Sequence, residues 1–484
     1  MKKCIALGIV LGLALPAMAQ AEKDKEGVAV TVYSSSRGYG GMAVVREVRN
    51  LDIGAGGVVM FKDVAERIDA TTVHFRSLTD PAARLLEQNY QFDLVSADKL
   101  LKKYIDQPIE VVCKDGKSYA GTLLSFDAGQ IVLKEKDAVA MIQRADNVRD
   151  IRFKDLPGGL LTRPTLVWQV ATDKPGKHQA EVTYQTTGVD WHAEYVMVLN
   201  PADTAADLSG WVSFQNNSGK TYEKAKLKFI AGDVRRIEQQ PRPREMDFGL
   251  ARGGAPAAAA MEEKAFFEYH MYTLQRPSTV ADNEVKQLEL FDPVHELKVA
   301  KKYLYEPLPR LRWYGSPNIQ KSYGVTSPKK VQVFVEFKNS KENNPKLGIP
   351  LPAGKIRVFK QDPEDKALEF VGEEKIDHTP KDEELSLQIG NAFDIVGEWK
   401  QKDFSISTND HWIKETIEVK LRNHKKEDVT VRVKQPMHRA QNWTITDEPA
   451  EFKHVKLDAF TIAFEVPVKA DKETVFTYSV EYRW

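Results

Sequence analysis

The sequence predicts an all-β, multi-domain fold of antiparallel β-sandwich (immunoglobulin-like) modules with one small SH3/Sm-like barrel. Three observations carry that expectation. Apolar residues recur at every second position in runs such as Val331-Gln-Val-Phe-Val-Glu-Phe337, Thr416-Ile-Glu-Val-Lys-Leu421 and Val429-Thr-Val-Arg-Val433. Successive strand side chains point to opposite faces, so this period marks strands with one face buried and one solvated. Turn signals separate the runs, among them Asp115-Gly116, and Asp-Gly between strands is a strong hairpin signal. Helical periodicity, finally, is scarce and best developed over 97–104.

The chain opens with Lys2 and Lys3, an apolar run over 4–15, Pro16 and the small-residue stretch Ala17-Met-Ala-Gln-Ala21. That order is the pattern of a cleaved secretory signal, with cleavage expected after Ala19 or, preferred because Glu22 then opens a charged stretch, after Ala21, and an exported product. The run is shorter than the roughly 20 residues of a spanning helix, and no later apolar stretch is long enough to be one. Cys4 precedes the apolar run, so it forms no acylation site, and Cys113 is then the single cysteine of the mature chain. No internal disulfide is available, and its place in an alternating strand marks Cys113 as a buried, inert thiol.

At 484 residues the chain exceeds what one core usually serves, so two to four domains are expected. The elements divide as follows: a signal at 1–21, an N-terminal β domain at 22–99, the small barrel at 100–157, a sandwich at 158–329 and a C-terminal sandwich at 330–484. In the first β domain, strands at 28–33, 42–48 and 58–61 surround a glycine-rich turn at 34–41. The barrel segment offers five short strands, at 109–113, 118–126, 131–134, 139–142 and 148–153. After a hinge at 156–159, strands follow at 165–170, 179–186, 193–199, 210–216 and 226–230. An insertion at about 238–261, rich in Pro, Gly and Ala, has little core-forming content and is expected to be mobile. Order should return at 266–272, with further strands at 285–291 and 298–305. One device recurs at 210–220, 333–343 and 417–426: an alternating strand runs into Asn and a polar turn, then returns, as duplicated sandwich units would.

Charge excludes one function class. Basic and acidic side chains balance at 69 each, so no global field draws the chain to nucleic acid. Metal-spaced histidines, paired cysteines, calcium-type Asp loops and a Gly-x-Ser-x-Gly elbow are all missing, so no cofactor, metal or catalytic residue is nominated. Gly219-Lys220-Thr221 fails as a phosphate loop because position 214, where glycine is required, is Phe.

Three places remain as interaction candidates. In 266–272, read as a strand, Glu268, His270 and Tyr272 share one face, with Arg276 close behind. The loop 307–323 carries Arg310, Arg312, Trp313 and Tyr314, residue types that partner surfaces favour, although a loop folded back over an exposed sheet is the plainer reading. Asp377 and His378 sit in a polar turn, where tying the turn by hydrogen bonds is the plainer role. The last strand, apolar at Phe476, Tyr478, Val480, Tyr482 and Trp484, resembles the closing strand of an outer-membrane barrel, but one buried sandwich face explains the same alternation.

Tyr184-Gln-Thr-Thr-Gly-Val-Asp-Trp191, Tyr195, Leu208-Ser-Gly-Trp211, Asn216-Asn-Ser-Gly219 and Tyr222 together resemble domain of unknown function 4139, whose grouping includes mucoidy-inhibitor-like proteins. Gly348-Ile-Pro-Leu-Pro-Ala-Gly354 continuing to Val358, Asp377-His-Thr-Pro380, Gly390-Asn-Ala-Phe-Asp394 and Tyr482-Arg-Trp484 extend the resemblance, which runs from about Val28 to the end. It implies an exported β-rich protein and brings no catalytic residues. Many mucoidy-inhibitor-like members carry a long coiled coil where this chain has its barrel-like segment. The expectation is therefore a non-enzymatic periplasmic or surface-associated protein that binds another envelope protein or an envelope polymer. An envelope hydrolase using carboxylates with His270 and His378 is one alternative, and an outer-membrane β-barrel the other.

Overall fold

The computed structural model describes residues 27–34, 40–91, 97–155, 162–232, 234, 261–266, 268–309, 311–313, 315–324 and 327–484. The signal, most of the glycine-rich turn, the hinge, nearly all of the insertion, Arg310 and Tyr314 lie outside the described residues. Among the described residues the chain forms thirty strands and two short helices. The strands lie in several separate sheets and close into no barrel. The described residues fall into two compact units. One takes those within Met1–Ala29, Val45–Val64 and Asp69–Tyr184, and the other Val30–Val44, Ala65–Ile68 and Gln185–Trp484.

The first unit contains a three-stranded sheet in which Thr165–Ala171 lies between Val58–Lys62 and Arg84–Gln91. Trp168 explains the position of its central strand: the indole is buried, stacks on Phe61 at 5.2 Å and donates to the Gln88 side chain at 3.0 Å. The same unit holds a five-stranded antiparallel sheet, ordered Val148–Phe153, Pro108–Cys113, Ser118–Phe126, Gln130–Lys134, Val139–Gln143. Helix Ala97–Lys103 and the five strands enclose one core of Leu101, Ile109, Val111, Cys113, Leu123, Leu133 and Ile142. Gly121 permits close strand approach, since a Cβ there would meet the Lys134 carbonyl oxygen at 2.6 Å. The closed small barrel expected here is not formed. Its outer strands, Val139–Gln143 and Val148–Phe153, are linked by a single helical turn, and each pairs with only one neighbour.

In the second unit a five-stranded sheet runs Glu284–Lys298, Ala205–Asn216, Val189–Leu199, Gly354–Gln361, Leu368–Ile376, with the third and fourth strands parallel. The C-terminal sheet has nine strands, numbered here β1 (Ala300–Tyr305), β2 (Lys330–Lys338), β3 (Glu384–Ser407), β4 (Trp412–Asn423), β5 (Val429–Pro436), β6 (Asn442–Asp447), β7 (Val455–Asp458), β8 (Thr461–Val468) and β9 (Lys472–Arg483). Their order is β6-β9-β4-β3-β2-β1-β5-β8-β7. Period-two alternation puts Ile417, Val419 and Leu421 of β4, Val431 and Val433 of β5, and Phe476, Tyr478, Val480 and Tyr482 of β9 into a single core. Burying each such side chain contributes about 1.5–3 kcal/mol. β9 lies inside the sheet between β6 and β4, which accounts for its alternation as one buried sandwich face.

The recurring Asn device is one physical solution used three times. Asn216, Asn339 and Asn423 end alternating strands and are all fully or almost fully buried. Each amide donates to backbone carbonyls across its turn: Asn216 to Lys220 and Ala281, Asn339 to Ile349 and Pro380, and Asn423 to Glu427, Val468 and Lys469. Each Oδ1 accepts a backbone N–H in return, from Ser218, Gly348 and Lys425. One side chain thus satisfies polar groups that a buried turn would otherwise leave unpaired.

Candidate functional site

The interaction candidates named from sequence divide into ties and exposed groups. Met261–Phe266 and Tyr269–Leu274 form a hairpin, so Glu268 stands exposed in its turn rather than on a strand face with His270. The expected single strand over 266–272 is corrected accordingly: the chain reverses there, and the turn needs those residues. His270 faces Glu263 across the hairpin at 2.7 Å. Tyr272 is buried, donates to the Pro350 carbonyl at 2.9 Å, and its hydroxyl is pushed up by burial. Arg276 is half-buried in the bend that follows. His378 is exposed and accepts the Ala353 N–H at 3.0 Å, while the neighbouring Asp377 is exposed and its carbonyl accepts the Thr379 hydroxyl.

Tyr272 and His378 therefore meet on one short segment, 348–354. Tyr195 donates to the Pro352 carbonyl, and Asn339 both donates to Ile349 and accepts from Gly348. The two prolines there supply no N–H, so their carbonyls are held by side chains from several directions. These residues act as fasteners of the segment.

The aromatic and Arg-rich loop is also fastened. Leu308 is buried, Leu311 packs on the C-terminal core, and Trp313 stacks on Phe460 at 5.4 Å. Arg439, fully buried, donates to the carbonyls of Asn318, Gln320 and Tyr323 and pairs with the buried Glu415 at 2.8 Å. Of the loop's described candidates, only Arg312 is exposed.

One nucleophile–base contact exists that no motif announced. Ser77 Oγ lies 3.0 Å from His178 Nδ1, and His178 Nε2 lies 2.6 Å from the Lys174 carbonyl. Because Nε2 must donate to that carbonyl, Nδ1 accepts from the hydroxyl, the order a general base requires. Ser77 is only 4% exposed and its Oγ also accepts the Asp80 N–H, so the group closes a turn and offers no face to a substrate. Among the described residues no group of three or more His, Cys, Asp or Glu side chains could hold a metal ion.

A groove of about 760 Å³ lies on the outer face of the nine-stranded sheet. Its floor follows from strand register. Lys302 pairs across strands with Phe334, Ala300 with Glu336, Leu304 with Arg432, and Arg432 with Glu465. On β1 and β2, Tyr303, Tyr305, Val331 and Val333 point into or pack on the core, which turns Lys302, Leu304, Phe334 and Glu336 to the groove. The turn Ala202–Thr204 forms a wall. There Asp203, held at positive φ, accepts Lys301 at 2.6 Å and Lys360 at 2.5 Å. Burial pushes the Asp203 carboxyl up, but the hydrogen bonds from Lys301 and Lys360 outweigh it and leave it below the usual carboxylate range.

The other charges of the lining are held as well. Glu427 accepts Lys425, which also donates to the Tyr303 hydroxyl, Asp428 accepts Lys469, and Glu465 pairs with Arg432. Among the described residues Lys302 and Glu336 remain outside any ion pair, Glu336 accepting from Ser386 at 3.1 Å. None of the described sequence-named candidates lines this groove. The signal that marks it in the sequence is small: Leu304 and Phe334 are apolar residues at positions where the alternation calls for polar ones.

The family model described as domain of unknown function (DUF4139) matches residues 180–484, well over half of the chain, and the chain belongs to that family. The match begins later than the resemblance read from the sequence, which ran from about Val28. No curated protein matches the chain at a significant level.

Proposed function

We propose that this member of the DUF4139 family is an exported, non-catalytic protein of the cell envelope that binds an envelope polymer or another envelope protein in the outer-face groove. The observation that carries the reading is the groove itself. It is a bounded space of ligand-site size with Leu304 and Phe334 half-exposed on its floor and a fixed polar rim. The signal-like start of the chain supports export. The Ser77–His178 contact is closed to substrate, and His270 and His378 serve a hairpin and a turn, so the groove is the better-supported place of action.

Two measurements test this. N-terminal sequencing of the protein recovered from cell fractions should read from Glu22 in an extracytoplasmic fraction; cytoplasmic protein retaining Met1 would sink the export reading. A photo-crosslinking side chain at Thr430, in the groove, should capture one dominant species. The same probe at Asp137, an exposed position of the five-stranded module, should not. Equal capture at both positions would remove the groove from the argument.

A further inference from the structure

We infer that the groove takes a neutral oligosaccharide, an inference that rests on the groove reading above and names its ligand class. Charge makes the first argument. Every acidic group of the lining except Glu336 is held by a lysine or arginine, and the remaining pair, Lys302 and Glu336, cancels. Asp203 has two such partners, so the groove together with its ion-pair partners keeps a single net positive charge. A polyanion or a basic peptide would gain little net field there and would have to displace bonds already made. A neutral ligand meets no such cost.

Functional groups make the second argument. A sugar presents apolar C–H faces beside hydroxyls that both donate and accept. Phe334 and Leu304 offer the first a half-exposed aromatic and aliphatic floor. Lys302 is a donor without an acidic partner, Glu336 an acceptor with capacity left, and the Thr430 and Ser386 hydroxyls do both. Polar groups that are spatially fixed on strands lose little freedom when they bind. The wall at Ala202–Thr204 bounds the space, where a folded protein partner needs roughly 800 Å² of open surface per side.

The test uses the full mature chain, labelled at Leu and Thr methyls and titrated with five defined probes. Three are neutral (the tetramer of β-1,4-linked N-acetylglucosamine, cellotetraose and maltotetraose), and two are charged (tetragalacturonate and tetralysine). At least one neutral probe should shift the Leu304 and Thr430 methyls saturably, with affinity unchanged between about 0.05 and 0.5 M salt. Phe334→Ala should weaken it about tenfold, and Lys302→Ala and Glu336→Gln several-fold each, with methyl spectra elsewhere intact. Saturable shifts by a charged probe alone, steeply salt-dependent, would overturn the neutral ligand class and leave the groove as a binding site. If no probe moves those methyls while the Thr430 crosslinker still captures a partner, the saccharide assignment fails alone. If both experiments are silent, the groove reading fails with it.

Discussion

Asn423 shows how much of this fold depends on single polar side chains. Its amide satisfies three carbonyls and its oxygen one N–H, all at the end of β4 where solvent is excluded. Asn423→Ala should cost about 2–4 kcal/mol, because each buried group left unpaired carries a desolvation penalty of about 1–3 kcal/mol. Chemical denaturation of the variant measures this; a loss under about 0.5 kcal/mol would mean that the turn relaxes and re-pairs its groups. His438 makes a second case. Burial holds its imidazole below the ordinary histidine value of 6.5, with Glu415, Arg439, Tyr323 and Tyr482 around it, and among the described residues Nε2 has no hydrogen-bond partner. Below about pH 6.5 the unfolded chain therefore binds a proton that the folded chain does not, so stability falls as pH falls from 6.5 towards the depressed folded value. Denaturant midpoints read at intervals over that range should show this slope in the native chain and a shallower one in His438→Gln. Parallel slopes would show that another group governs the acid limb.

At the scale of elements, the loop across 311–324 is held by its tie to the core. Arg439→Met would leave Glu415 buried without its cation, and removing one partner of a buried pair typically costs about 3–5 kcal/mol. The variant should unfold at lower temperature, with faster backbone exchange at Asn318, whose N–H donates to the Arg439 carbonyl at 2.8 Å. Exchange there no faster than in the native chain would show that the loop is held by Trp313 and Leu311 alone. For the same reason deletion of 307–323 would open the core. Elements were legible where alternation was clean. The strand readings 118–126 and 148–153 coincide with Ser118–Phe126 and Val148–Phe153. Ile68–Ser77, Arg84–Gln91 and Leu368–Ile376 escaped because strands whose side chains are mostly intermediate or exposed on both faces impose no period on their sequence. The groove escaped for a different reason. Its lining comes from turn 202–204, Val299, turn 427–428 and five strands spread between Ala300 and Glu465, so no local window contains it, and Leu304 and Phe334 on polar faces were its traces.

For the whole molecule, the family-matched region and the folding unit do not coincide. The match begins at residue 180, yet the second compact unit also contains Val30–Val44 and Ala65–Ile68. Within that unit the Val30–Tyr33 part of the first strand runs beside Tyr222–Ala231, Arg67 N–H donates to the Ser218 carbonyl, and Glu66 packs on Gly219. A fragment spanning 180–484 would lose all three. Tyr222–Ala231 would then present an unpaired edge, and its buried Tyr222, Leu227, Phe229 and Ile230 would lose cover. Such a fragment should associate or bind a hydrophobic dye, whereas the mature chain should do neither. Supplying residues 22–70 as a separate chain should restore a monomeric, cooperatively unfolding species. Sedimentation of the fragment with and without that chain decides the matter: a fragment that is monomeric and unfolds cooperatively alone would show that the family region folds without its N-terminal strands.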